Sequence, residues 1–359
     1  HAMAINTFST SDTNAVKLWS RILEVETLKA TPIAPLIGTS ANSIIQKKTE
    51  LSKGAGDKVT FSLRMQLSGD GRTENQTLEG NEESFTLYAD SLLVNELRHA
   101  VRVKGDWSIH NQRIPFDLMS EAKDALVDWT AKRLAVSFFN QVCGYTPQSN
   151  TIYTGMNAVT AAASSRILRA NSQSTDSAVG SDPTAIMSLK YIDYAKEAAL
   201  LATPMIRPVR VDGEDVYVCY LDPRQVTDLR RNTSTGEWLD ITKSAYQGSR
   251  ANNPLFDGSL GFYNGVVLRM APDGMIPAGI SGSSAVANTR RAVFLGAQSA
   301  VIAFSKGGGP TTYNWREESF DYDDERGIAM RTLVGLKKTI FNSVDYGVIV
   351  ITTYAAAHT

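Results

Sequence analysis

The sequence predicts an α+β protein built around one long hairpin and one long helix. Residues 57–67 alternate strictly: Val59, Phe61, Leu63, Met65 and Leu67 are separated by Lys58, Thr60, Ser62, Arg64 and Gln66, the period of a half-buried strand. Residues 117–143 carry the longest helical pattern. The chain then ends on strand-like runs, Met330–Leu336 and Tyr346–Thr352.

In chain order, residues 3–55 form an arm with one short helical stretch, Ala15 to Leu28, followed by Pro32, Pro35 and Gly38. After the alternating strand, Ser68-Gly69-Asp70-Gly71-Arg72 is a turn sequence whose glycines permit positive φ. The alternation resumes at Phe85, Leu87 and Ala89, which reads as the returning strand of a long hairpin with a polar tip. A two-stranded hairpin is marginal alone in water, so an apolar face on a long one points to a partner on another molecule.

The helix begins after Pro115, with Asp117 placed to favour its positive N-terminal end. Glu121, Asp124, Asp128 and Lys132 form one polar stripe. Leu118, Ala122, Leu126, Trp129, Leu134, Phe138, Phe139 and Val142 form the apolar side, and Gly144 provides the stop. Residues 145–184, rich in Ser, Thr, Asn and Ala, read as a long surface loop. A helix at Ser188–Ala202, a strand at Val216–Leu221 and a helix at Pro223–Arg231 follow, with short strands at Gly265–Met270 and Ala292–Leu295. Tyr346–Thr352 is apolar throughout, as a strand covered on both faces would be. No internal repeat is present.

With 36 basic and 37 acidic residues the net charge is −1, which argues against nucleic-acid wrapping as the main task. Any DNA contact is expected to be local and weak. Cys143 and Cys219 belong to no CxxC pair, and His1, His99, His110 and His358 are scattered. That pattern suits reduced, buried thiols and predicts neither a disulfide framework nor a zinc site. No apolar run reaches the roughly 18 residues a membrane span requires, and a signal-peptide pattern is absent. His1 and Ala2, ahead of Met3, read as a cloning remnant.

The chemical motifs fail one by one. Lys306 precedes Gly307-Gly308-Gly309, the reverse of a phosphate loop. Gly69-Asp70-Gly71 lacks the third glycine of a dinucleotide loop. Gly279-Ile280-Ser281 opens like a nucleophile elbow, but Ser283 stands where glycine is needed. Asp321, Asp323 and Glu325 have calcium-loop spacing, yet Arg326 and Thr332 occupy the required glycine and glutamate positions. His99 and His110 read as surface or half-buried residues. No catalytic constellation, cofactor site or metal site is expected.

Specific stretches carry a family resemblance. They are Gly56-Asp57-Lys58-Val59-Thr60-Phe61, Leu67-Ser68-Gly69-Asp70-Gly71, Leu78-Glu79-Gly80-Asn81-Glu82-Glu83, Leu97-Arg98-His99-Ala100-Val101, Arg113-Ile114-Pro115-Phe116-Asp117-Leu118 and Ser137-Phe138-Phe139-Asn140-Gln141. Leu260-Gly261, Gly296-Ala297-Gln298 and Tyr322 to Lys338 continue them. Together with the element order they resemble the major capsid family typified by short-tailed bacteriophages, with the tailed-phage capsid fold (Hong Kong ninety-seven type). The match spans nearly the whole chain, is dense from 56 to 143 and is looser from 145 to 184.

That resemblance implies an N-terminal arm (3–55) and an extended hairpin loop (56–96) reaching over a neighbouring subunit. It also implies a peripheral domain (97–182 with 313–359, including the spine helix 117–143) and an axial domain (183–312). The implied function is self-assembly, as hexamers and pentamers, into the icosahedral head that encloses the DNA genome without sequence-specific binding. Assembly would occur in the bacterial host cytoplasm with no membrane partner. Scaffolding, portal and decoration proteins would be further partners, with scaffolding, if used, a separate protein, since Met3 starts almost directly on the arm. An encapsulin-like shell housing a cargo enzyme is the alternative within the fold, and a hydrolase or carbohydrate-binding protein the alternative outside it.

Val59, Phe61, Leu63, Asp70, Arg72 and Glu74 are the expected intersubunit contacts. Some shells of this fold join subunits by an isopeptide bond from a loop lysine. Leu67 to Asp90 contains no lysine, and the always-protonated Arg72 cannot replace one. A non-covalent shell is therefore expected.

Overall fold

A computed structural model describes residues 33–50, 56–113, 117–148, 157–232, 260–272, 274–304 and 314–358. The helical stretch Ala15–Leu28, Pro115 and the Gly307–Gly309 run lie outside the described residues. The strands in chain order are β1 (Ile37–Gly38), β2 (Ile45–Lys48), β3 (Lys58–Arg64), β4 (Leu87–Leu93), β5 (Asn95–Lys104), β6 (Ile167–Arg169), β7 (Val209–Val211) and β8 (Glu214–Leu221). They continue as β9 (Gly261–Tyr263), β10 (Val266–Met270), β11 (Ile280–Ser281), β12 (Ser284–Ala285), β13 (Thr289–Leu295) and β14 (Ala300–Phe304). The last are β15 (Asn314–Phe320), β16 (Glu325–Lys338), β17 (Ile340–Phe341), β18 (Val344–Asp345) and β19 (Val348–Tyr354). The helices are α1 (Ile109–Gln112), α2 (Leu118–Cys143), α3 (Asp176–Gly180), α4 (Leu189–Leu201) and α5 (Pro223–Arg231).

The long helix α2 forms as its sequence dictates. Asp117 accepts the Met119 amide at 2.9 Å, satisfying one of the donors left over at a helix start. Gly144 ends the helix at φ 64, and a Cβ there would lie 2.5 Å from the Ala162 amide nitrogen, so two independent constraints demand glycine. Twenty-six residues give a rod about 39 Å long. Its first half packs Leu126 and Val127 on Trp315, Ile328 and Met330, while Leu134, Phe138, Phe139 and Val142 of its second half enter the main core. One helix thus spans both sheets. The polar stripe Glu121, Asp124, Asp128 and Lys132 is exposed, as expected.

The first sheet runs β1-β2-β14-β16-β15, with β5 on β16. The 14-residue strand β16 organises it. One edge pairs with the whole of β5, and the other pairs with β15 and then with β14. The second sheet runs β6-β19-β13-β8-β10-β9, with β7 on β8. Its strand β19 is buried along nearly its full length between β6 and β13, the placement its uninterrupted apolar run predicts.

One sequence expectation needs correction. The 145–184 segment is not simply a surface loop: β6 pairs in parallel with β19, and Ala170, Asp176 and Val179 are buried. Its polar composition is misleading because one of those polar groups, Asp176, is an interior anchor. Asp176 Oδ2 accepts Arg291 Nη2 at 2.6 Å and the Ile280 amide at 2.8 Å, and Oδ1 accepts Arg169 Nε at 2.7 Å. The lobes expected on either side of residues 183 and 312 share a sheet. The second sheet takes β6 and β19 from the segments 97–182 and 313–359 and its other strands from 183–312, so backbone pairing crosses that boundary.

Both cysteines are free and buried, in line with the sequence reading, and burial pushes each thiol up to about 12. No helix among the described residues is long and apolar enough to cross a membrane.

Candidate assembly interface

The hairpin forms where the alternation predicts it. β3 and β4 pair antiparallel, with Val59 opposite Leu92, Phe61 opposite Asp90 and Leu63 opposite Tyr88. Opposed residues share a face, so this register corrects one expectation. Phe85, Leu87 and Ala89 lie in the other phase from Val59, Phe61 and Leu63, since Leu87 faces Arg64 and Ala89 faces Ser62. The two apolar series do not build one continuous face.

Val59 corrects a second expectation. The root of the hairpin is covered by its own chain: Val59, Leu92 and Val94 cluster with Val301 and Ala303, and Phe61 packs beside them with Leu333. The Phe61 ring meets Phe341 edge-on at 5.9 Å, and Lys48 Nζ sits 5.1 Å from its centroid. Leu63 is half-buried and lines a cleft of about 70 Å³ with Phe61, Lys48 and Thr339. Alternation predicted the face correctly but could not say what covers it, because the covering residues come from far along the chain.

Polar contacts pin the same root. Asp90 Oδ1 accepts Lys337 Nζ at 2.5 Å and its Oδ2 accepts the Ile340 amide at 3.0 Å. The Asn157 side chain accepts the Leu93 amide at 2.9 Å and donates to the Leu93 carbonyl at 2.8 Å, acting as a substitute strand partner. Gln141 of α2 in turn donates to the Asn157 carbonyl at 2.8 Å. Gly335 permits this approach, since a Cβ there would lie 2.2 Å from the Leu93 carbonyl oxygen.

Beyond the root, residues 65–86 contain no strand or helix, and residues 66–87 are exposed. The turn is internally organised all the same. Glu83 accepts the Ser68 and Gly69 amides, each at 2.8 Å, and these bonds hold its carboxyl below the ordinary value. Arg72 donates to Asn81 Oδ1 at 2.8 Å, while Asp70 and Glu74 are exposed. Leu67, Leu78, Phe85 and Leu87 are 56–64% exposed. Large apolar side chains concentrated on one arm are the ordinary mark of a docking surface.

Of the expected contact residues, the structure therefore groups Val59, Phe61 and Leu63 at the root and Asp70, Arg72 and Glu74 at the tip. Sequence reasoning missed Asp90, Lys337 and Asn157. Asp90 had a signal: it is a carboxylate in phase with Tyr88 and Leu92, on the face that is otherwise packed. Asn157 had none. Elsewhere, exposed His99 stacks on Trp129 at 4.3 Å. Asp323 pairs with Arg326, and Glu325 with Arg102 and Lys104. Those carboxylates serve ion pairs, and no metal-binding group of acids, cysteines or histidines occurs among the described residues.

The sequence model for phage capsid proteins matches residues 7–357. The chain belongs to the phage capsid protein family. This capsid protein is similar to the major capsid protein of Pseudomonas phage KPP25, with 30% identity over 95% of this chain and 94% of the relative. Its structure is similar to the capsid of Ralstonia phage GP4, with TM-score 0.79, 31% identity and coverage of 99% and 100% of the two chains. The fold likeness extends to the cyanophage Pam1 capsid asymmetric unit, with TM-score 0.67, 22% identity and coverage of 92% and 94%. The α+β architecture is thus the tailed-phage capsid fold, and the chain functions as a phage major capsid protein, a component of the virion.

Proposed function

We propose that this capsid protein tiles a closed icosahedral head as hexamers and pentamers, through an extended loop laid on a neighbouring subunit. The observation that carries the proposal is the contrast within the hairpin. Its root is packed and pinned by the chain's own residues, whereas its outer part leaves Leu67, Leu78, Phe85 and Leu87 uncovered. Burying a large apolar side chain contributes on the order of 1.5–3 kcal/mol, and a monomer forgoes that at each of these positions.

In this reading residues 56–96 form the intersubunit loop, with Leu63, Asp70, Arg72 and Glu74 on its contacting part. Residues 97–182 with 313–359 form the peripheral region, and 183–312 gather around the symmetry axes. The shell encloses DNA without reading its sequence, performs no catalysis and needs no cofactor. It assembles in the host cytoplasm alongside separate scaffolding, portal and decoration proteins.

Phe85→Asp tests the proposal. The substitution leaves every packed residue in place and sets a charge where an apolar contact is expected. The expected result is a folded chain with an unchanged melting temperature that forms no closed shells. Normal shells from Phe85→Asp would contradict the role of the loop.

A further inference from the structure

We infer that the cleft at the hairpin root is a binding site for one small carboxylate. Three rings wall it: Phe341 stands edge-on to Phe61 at 5.9 Å and to Tyr346 at 5.3 Å. Lys48 and Gln46 of β2 and Thr339, in the bend after β16, supply its polar side. One water needs about 10–15 Å³ of such space. A cleft of about 70 Å³ therefore takes on the order of five non-hydrogen atoms and excludes a nucleotide or a sugar ring.

The polar groups of this lining are donors that lack acceptors. Thr339 is 2% exposed and its hydroxyl has no hydrogen-bond partner, an arrangement that costs free energy unless something binds there. Its backbone is fully engaged, since its amide donates to the Ser299 carbonyl and its own carbonyl accepts the Tyr346 amide. Lys48 Nζ sits 5.1 Å from the Phe61 centroid. The ring attracts the ammonium but offers its three N–H groups no lone pair, and Lys48 has no carboxylate partner among the described residues. Gln46 Oε1 accepts Gln298 Nε2 at 2.9 Å, and Gln298 Oε1 is taken by Arg207. That leaves the Gln46 amide NH2 as the remaining donor of this chain of contacts.

No acidic residue lines the cleft. Asp90, opposite Phe61 on the paired strand, is already taken up by Lys337 and the Ile340 amide. One cation, a hydroxyl, an amide and aromatic walls match a singly charged head on a short hydrocarbon stem. A phosphate brings more charge and no stem, and a single lysine would leave part of that charge unpaired. A free carboxylic acid and the aspartate or glutamate side chain of an adjoining molecule share the chemistry that fits.

Propionate tests the site on the unassembled chain by saturation-transfer NMR, with propionamide as the uncharged control. Propionate should bind with a dissociation constant on the order of millimolar, and propionamide should not bind at the same concentrations. Lys48→Met should weaken binding by about tenfold or more. Thr339→Val removes the unpartnered hydroxyl with little change in size. It should weaken binding severalfold and leave the melting temperature unchanged or higher, which loss of a hydroxyl needed only for the fold would not do. No propionate binding at tens of millimolar, or binding that neither substitution weakens, would overturn the inference. Repeating the measurement on closed shells, an arm that rests on the proposed assembly, identifies the source. Binding lost in shells means that an adjoining molecule's carboxylate already fills the cleft, and binding retained means that a free acid is the ligand. A chain that forms no shells would count against the assembly proposal and leave the result on the unassembled chain standing.

Discussion

Lys337 Nζ lies 2.5 Å from Asp90 Oδ1, while the other oxygen of that carboxylate holds the Ile340 amide at 3.0 Å. This junction fixes β4 to the end of β16, so it sets the direction in which the extended loop leaves the body. Both side chains are largely buried, at 18% and 10% exposure, and removing one partner strands the other in a poorly solvated place.

Asp90→Ala should therefore cost about 1–3 kcal/mol and loosen the hairpin without unfolding the core. Hydrogen exchange should speed up at Leu87–Leu93 and stay slow in β13 and β19. Unchanged exchange in β4 would show that the apolar root alone holds the loop.

Much of this junction's setting was legible in sequence, and its centre was not. Alternation located β3, Asp117 and Gly144 bracketed α2 correctly, and the apolar run of β19 announced a buried strand. Those signals are local, since each depends on neighbours within a few positions. The Asp90–Lys337 pair, the Asn157 contact with Leu93 and the covering of Val59 by Val301 depend on residues brought together by sheet order, which spacing along one strand does not encode. Residues 145–184 misled for a different reason. Polar composition cannot distinguish a solvated segment from one whose Asp176 neutralises a buried arginine.

Asp176 should govern acid stability. Burial alone would raise its carboxyl, but Arg291, the Ile280 amide and Arg169 outweigh burial and hold it below the ordinary value. A depressed folded-state value means the stabilisation is complete above about pH 4. It is lost as pH falls further, through the folded-state value. Asp176→Asn leaves Arg291 buried without its counter-charge, so it should lower stability at pH 7 by about 3–5 kcal/mol. Melting temperatures from pH 7 to pH 3 should fall for the native chain and fall less steeply for the variant. Parallel curves would rule out this role.

Cys143 and Cys219 should be inert in the folded chain, because burial keeps both as neutral thiols. A thiol reagent should label neither until denaturant is added. Reductant and chelator, applied separately, should leave the melting temperature unchanged. A drop with either one would reveal a disulfide or a metal site.

Assembled shells should be held without covalent joints. The Leu67–Asp90 segment has no lysine, and the guanidinium of Arg72, bonded to Asn81, cannot act as a nucleophilic amine. Particles boiled in detergent under reducing conditions should run as one band near 39.1 kDa. A ladder of larger bands would mean that a lysine elsewhere forms the bond.

The most direct measurement is a cryo-electron-microscopy reconstruction of particles assembled from this chain. The account predicts a closed icosahedral shell in which residues 65–86 of each subunit lie on the adjacent subunit, with Phe85 buried between them. A shell in which each loop folds back on its own subunit, or discrete oligomers that never close, would contradict it.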